Sequence, residues 1–340
     1  MAQIDPTAQS LAAASDARSR GRLESETIAG IVIFLLCILL IVCARFISPA
    51  LGGWSHAETT LLLASFLIVV AFGQGLVILV GGLDLSVASM ITLGGVLSTT
   101  MVGSYDAGAW ALPVVVVFCS LLGGVSGFSV AYLKVPPFIM TMAMGVIVYS
   151  ACLGYTKGSP RGAAPELFID LMKAEWLGIP VAIIFVLLFA LAGWLVQKHT
   201  AFGRRLYAVG SNQEAAYVAG VHVRRVTLSA YVVSALCAGF TGMMLAGYAN
   251  GATLRMGDSY LLPSIAAVVV GGSSILGGRG SFIGTVGGAI LLTALSTIIQ
   301  ALGVPQGWRT VIEGMIILIA LLMLREQLYQ AITQLFSRQH

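Results

Sequence analysis

Long apolar runs constrain this chain more than any other feature of its sequence. A helix needs about 20 consecutive apolar residues to cross the hydrocarbon core of a membrane, and ten such runs follow one another along the 340 residues. They lie at about 28–47, 58–80, 85–102, 109–132, 137–155, 179–197, 227–249, 260–276, 282–302 and 308–324. Because backbone groups in lipid must find their hydrogen bonds within the protein, each run is predicted to be helical. We expect an all-α integral membrane protein, a polytopic bundle of about ten transmembrane helices.

The distribution of charge predicts the orientation of this bundle. Only 9% of the residues are charged, whereas soluble domains carry roughly a quarter. With the N-terminus inside, twelve of the 18 Lys and Arg residues fall in inner segments and six in outer ones, as the positive-inside rule favours. The sequence therefore predicts a multi-pass protein of the bacterial inner membrane with both termini cytoplasmic. Residues 1–27, predicted to be disordered, and 325–340 would form cytoplasmic tails around a transmembrane domain at 28–324.

Two connections between the runs are long. The outer one, at 156–178, predicts a short helix from Glu166, in a loop open to an extracytoplasmic partner. The inner one, at about 198–226, contains the string GSNQEAAYVAGV at 210–221. Ser211 and Glu214 have the spacing of a capping box, and Gly220 is a typical helix stop. A helix of about two turns is predicted here, and it is either a connecting turn or a docking helix for a cytosolic partner.

Several strings resemble the ribose/xylose/arabinose-type sugar permease family of ATP-binding cassette importers. They are the inner string just named, GGLDLSV at 81–87, KVPPFI at 134–139, GDSY at 257–260, IAAVVVGG at 265–272 and GGRG at 277–280 with GT at 284–285 and Gly287. Together they cover roughly 80–330 in the expected order.

The resemblance implies the fold of an importer permease and a set of partners. These are a second copy or a related permease, a cytosolic ATP-binding cassette ATPase, a periplasmic sugar-binding protein and a small sugar as solute. The inner helix would couple the permease to the ATPase, with Asn212 and Glu214 shaping its start, Gly220 its end, and Ala215 and Ala216 its flat docking face. No catalytic residue, metal ion or cofactor is implied.

A sugar offers hydroxyl groups at its rim and apolar C–H faces, so polar and aromatic side chains are candidates for its pathway. Those in the predicted spans and at their ends are Gln74, Asp84, Phe138, Tyr149, Tyr248, Asn250 and Gln300. Each is equally suited to packing between helices. Asp84 in particular is either a helix cap or a pathway group. Arg309 and Glu313 lie one turn apart in the tenth run and are predicted to pair.

Other classes of protein fit less well. A P-loop needs Gly-Lys-Ser/Thr, and Gly precedes none of the four lysines, so any ATPase must be another chain. Gly-flanked Ser126 would need a nearby base to be a hydrolase nucleophile, and the four histidines lie at boundaries or tails. The five cysteines show no metal spacing, and the basic residues form no nucleic-acid patch. An ion-coupled secondary transporter of a small polar solute remains the main alternative.

Overall fold

The computed structural model describes residues 32–46, 51–104 and 108–323. Thirteen α-helices lie in these ranges. They are α1 (Val32–Phe46), α2 (Trp54–Leu79), α3 (Val87–Ser98), α4 (Ala111–Ala131), α5 (Pro137–Thr156), α6 (Glu166–Lys173), α7 (Val181–His199), α8 (Ala201–Ser211), α9 (Gln213–Val218), α10 (Val223–Ala249), α11 (Asp258–Val270), α12 (Phe282–Ala301) and α13 (Gln306–Met323). A π-helical turn at Thr99–Ser104 extends α3. Strands β1 (Glu175–Trp176) and β2 (Ile179–Pro180) pair antiparallel.

The helices confirm the predicted fold class. Each of the ten apolar runs contains a helix, and within the described ranges six helices are long and apolar enough to cross a membrane: α2, α4, α5, α7, α10 and α12. The apolar helices α1, α3 and α11 are shorter. The chain is therefore a polytopic all-α membrane protein, and the count of ten crossing segments stays a prediction. The tails predicted at 1–27 and 325–340 lie outside the described residues.

Helix α10 is the centre of the bundle and packs against α2, α3, α4 and α6. Glycines make these contacts close. A Cβ at Gly242 of α10 would overlap the backbone of Ile91 in α3, and a Cβ at Gly94 would overlap Gly239 in the same way. Small residues let membrane helices approach backbone to backbone, where dispersion contacts replace the hydrophobic effect. In α4, α5 and α7, only 28% of the residues in the apolar 18-residue stretch are buried within the chain. The outer faces of these helices are therefore available to lipid or to another chain.

The outer connection folds as predicted. Helix α6 spans Glu166–Lys173 and buries Phe168 and Met172. The hairpin of β1 and β2 follows it and leaves Trp176 and Leu177 exposed. The segment is therefore held to the bundle by one apolar face of α6, while the hairpin tip presents a second apolar surface outward.

Candidate functional site

The inner connection forms two short helices, α8 and α9, with a cap between them. The side-chain oxygen of Asn212 accepts the N–H of Ala215 at 2.9 Å and so caps α9. The capping-box prediction gave this position to Ser211, which is wrong because Ser211 is the last residue of α8. Its hydroxyl instead donates to the carbonyl oxygen of Gly278 at 3.5 Å. The helix thus starts one residue later than the capping box predicted, and Asn212 shapes that start as predicted.

The outward face of α9 differs from the predicted one. Ala216 is only 4% exposed and belongs to the main core, so it is not part of a docking face. Tyr217 and Val218 are 74% and 85% exposed, and Ala215 beside them is also exposed. Gly220 follows with a φ of +82°, a left-handed conformation that ends the helix. The exposed part of α9 therefore carries apolar side chains larger than the predicted alanines, beside the exposed Gln213 and Glu214 at its start.

Side chains of α7 and α8 tie the inner connection to the start of α12. The hydroxyl of Tyr207 in α8 donates to the carbonyl oxygen of Gly280 at 2.6 Å. The side-chain oxygen of Gln197 in α7 accepts the N–H of Phe282, the first residue of α12, at 2.6 Å. The first N–H groups of a helix have no partner within it. Gln197 thus supplies a cap to α12 from a helix 85 residues earlier in the chain.

Three backbone segments meet at the end of α2. The N–H of Gly278 donates to the carbonyl oxygen of Leu79 at 2.9 Å. A Cβ at Gly210, near the end of α8, would overlap that same carbonyl. Because backbone touches backbone, a displacement of α8 has no side chain to absorb it. The end of α8 thus touches the end of α2 backbone to backbone, and Tyr207 joins α8 to the segment before α12.

Asp84 lies in the turn between α2 and α3 and is 2% exposed. Its Oδ1 accepts the N–H of Ser86 at 3.0 Å and the Ser86 hydroxyl at 2.6 Å. Its Oδ2 accepts the hydroxyl of Ser234 in α10 at 2.8 Å. Buried carboxylates need such partners. The N-cap of α3 is Ser86, so the prediction that Asp84 caps this helix is wrong: Asp84 stabilises the turn before α3. Its contact with α10 adds a tie that spacing along the chain does not reveal.

Removing the Asp84 carboxylate is expected to destabilise the protein. Asp84→Ala leaves three buried donors without their acceptor, so we expect unfolding to become easier by about 3 kcal/mol. Ser234→Ala removes one of these bonds and should cost less. Thermal unfolding in detergent measures both, with Ser229→Ala as control, because the hydroxyl of Ser229 bonds only within α10, to Val226. Equal melting of Asp84→Ala and wild type would contradict the structural role of this carboxylate.

The other predicted pathway residues are spread over the bundle. Gln74 is fully buried in α2, and neither of its amide atoms has a hydrogen-bond partner among the described residues. Phe138 is exposed at the start of α5, and Tyr149 is partly buried further along that helix. Tyr248 and Asn250 lie at the end of α10, where Asn250 takes a φ of +55°. Their role as pathway residues stays a prediction.

Gln300, the seventh candidate, lines a cavity of about 270 Å³. The cavity lies between α2, α11, α12 and α13. Its walls are formed by Leu63, Leu67, Ser259, Tyr260, Pro263, Ala266, Leu292, Thr293, Ser296, Thr297, Gln300 and Arg309. Of these residues, only Gln300 is among the pathway candidates predicted from the sequence. The signal was the three- or four-residue spacing of the polar positions 293, 296, 297 and 300, which places them on one face of α12.

Arg309 is the only cationic side chain among the residues of that wall. Its Nη2 donates to the hydroxyl of Ser296 at 3.0 Å. Its Nε is buried and has no hydrogen-bond partner within the described part of the chain. The predicted partner Glu313 has a side chain that lies outside the described residues, so this pairing stays a prediction.

Comparison with known proteins places the chain among transport proteins. The model of the family described as "Branched-chain amino acid transport system / permease component" matches residues 56–321. The ribose import permease protein RbsC of Haemophilus influenzae is 33% identical over 294 residues, which is 85% of this chain and 91% of that protein. RbsC of Bacillus subtilis is 32% identical over 86% of this chain and 92% of its own length. The galactose/methyl galactoside import permease protein MglC of Escherichia coli K12 is 32% identical, with the same coverage of 86% and 92%. No solved structure matches.

Proposed function

This chain belongs to the branched-chain amino acid transport system / permease component family, and from this membership we propose that it forms the solute pathway of an ATP-driven sugar importer. The family's own description mentions branched-chain amino acids, but relatives at 32–33% identity are named as ribose and galactose import permeases. A monosaccharide is therefore the solute that we propose. The resemblance found in the sequence motifs supports the same solute class.

The exposed face of α9 carries the proposal of an ATP-driven mechanism. Tyr217 and Val218 form an apolar surface on the predicted inner side, where a cytosolic ATPase would bind. Tyrosine is among the residue types enriched at the anchor positions of protein interfaces. The contacts of α8 with Gly280 and Leu79 connect this surface to the inner ends of two long helices. A docked ATPase would move these helices when ATP closes it.

The remaining partners follow from the same function. We propose a periplasmic sugar-binding protein on the outer side, where the hairpin tip exposes Trp176 and Leu177. A second copy of this chain, or a related permease, would complete the pathway. The location is a bacterial inner membrane with both termini in the cytoplasm, as the charge distribution predicts.

Uptake by reconstituted vesicles tests this function. We expect proteoliposomes holding this chain, its ATPase and its binding protein to accumulate labelled ribose or galactose only when ATP and the ATPase are both present. Labelled leucine serves as the control for the solute class. Uptake that continues without the ATPase and follows an ion gradient would instead assign the chain to ion-coupled secondary transport.

A further inference from the structure

The cavity between α2, α11, α12 and α13 has an apolar side and a polar side. Leu63, Leu67 and Pro263 are among the apolar residues, and the polar ones come largely from one face of α12 and from Arg309. A monosaccharide has the same division, because its C–H faces are apolar while its rim carries hydroxyl groups. Ligand pockets usually measure about 300–1,000 Å³, and the cavity, at about 270 Å³, is close to the lower end of that range.

The polar groups are arranged as hydrogen-bond donors and acceptors for neighbouring hydroxyls. Arg309 lines the cavity, and its Nη2 donates to the hydroxyl of Ser296 at 3.0 Å. A guanidinium presents its N–H groups as a rigid planar fork, which suits two adjacent oxygens. Pro263 has no N–H to donate to the carbonyl oxygen of Ser259 one turn earlier, so that oxygen lacks its usual helical partner at the cavity wall. The site therefore offers both donors and acceptors.

The position of the cavity fits the entry of a solute. It lies near the starts of α11 and α13 and the end of α12, which the charge distribution assigns to the outer side. An importer receives its solute on that side. The twelve lining residues come from four helices of this chain.

We propose that this cavity is an outer binding site for a monosaccharide and that each permease chain carries its own. The proposal rests on the proposed function and adds a location and a stoichiometry to it. Arg309 holds two hydroxyls of the sugar, Gln300 a further one, and the apolar wall packs against the C–H face. An assembly of two permease chains then holds two sugars at its outer side.

Two substitutions test the site by different routes. Arg309→Gln removes the fork, and Thr293→Leu fills the cavity and leaves Arg309 in place. We expect Arg309→Gln to lower ATP-dependent uptake of labelled ribose or galactose at low concentration by about tenfold, the effect of losing one strong hydrogen bond to a charged group. Thr293→Leu should lower uptake as well, because leucine occupies space that the sugar needs. Both variants should still assemble with the ATPase, which co-purification measures.

Arg255→Gln is the matched control. It also removes one positive charge from the predicted outer side, but Arg255 is exposed, bonds to Asp258 at 2.7 Å and does not line the cavity. The hydrogen bond with Asp258 raises the pKa of Arg255, so the control removes a true cation. Wild-type uptake by both Arg309→Gln and Thr293→Leu, in vesicles whose uptake needs the ATPase, would overturn the site and leave the proposed function standing. Uptake by wild-type vesicles that does not require the ATPase would overturn the proposed function itself.

Protection of a thiol measures the stoichiometry without relying on Arg309. Thr297→Cys places a thiol in the cavity wall, in a Cys43→Ser background because Cys43 is the exposed one among the described cysteines. Saturating ribose or galactose should protect nearly all Thr297→Cys thiols from a membrane-impermeant thiosulfonate. Protection of about half would mean one sugar for each pair of chains, and no protection would mean that the cavity binds none. Either result would overturn the proposal.

Discussion

Val218→Asp is expected to abolish ATP-driven uptake by preventing the ATPase from binding. Val218 is 85% exposed, so the substitution has little effect on the fold of the chain itself. In the proposed complex the same side chain is buried, and a carboxylate there would be desolvated without a partner. An uncompensated buried charge costs about 3–5 kcal/mol, which corresponds to at least about a hundredfold loss of affinity. Co-purification of the ATPase with the tagged permease measures this loss of binding.

Leu177→Asp provides the control for this experiment. Leu177 is equally exposed, at 85%, but lies in the hairpin between α6 and α7, on the predicted outer side. We expect Leu177→Asp to retain the ATPase at wild-type levels, since the two faces are separated by the membrane. Retention of the ATPase by Val218→Asp would contradict the assignment of α9 as the coupling helix. Loss by both variants would point to general misfolding instead.

Gly242→Ala is expected to have the largest effect on stability. Its added methyl group would overlap the carbonyl oxygen of Ile91, and this neighbour is backbone that cannot rotate away. Overpacking of this kind costs about 1–3 kcal/mol and sometimes more. Alanine is otherwise the better helix former by about 1 kcal/mol, so the clash must exceed that gain. We expect a clearly lower melting temperature and less monodisperse protein in detergent, both read by fluorescence-detected size exclusion.

Gly124→Ala separates the clash from the general effect of alanine. Gly124 lies in α4, and a Cβ there meets only a methyl group of Val232, at the ordinary distance of 3.7 Å. This variant should melt at or slightly above the wild-type temperature because of its better helix propensity. If both glycine variants melt alike, the close approach of α10 to α3 is not what stabilises the bundle.

The inner connection shows which structural features a local sequence pattern can predict. The Ala pair and Gly220 predict a helix in the right place, and Asn212 is named among its shaping residues. The face that the helix presents was predicted wrongly at Ala216, because the exposed side of a two-turn helix depends on what it packs against. Ala216 packs into the core of the bundle. The same reason explains Ser211, whose partner Gly278 is 67 residues away.

The sequence by itself determined the class of fold and the order of its elements. Apolar runs of about 20 residues have one stable form in lipid, the helix, since no water is present to satisfy an open backbone. The motif order likewise led to the permease family, which the comparisons confirm.

Only the tertiary structure decided which side chains meet. Asp84 reaches Ser234 across 150 residues, and the cavity joins positions from Leu63 to Arg309. Such contacts depend on how glycine-lined helices approach and rotate against one another. Apart from the polar face of α12, hydrophobicity is nearly uniform around the long helices, so the sequence does not specify that rotation.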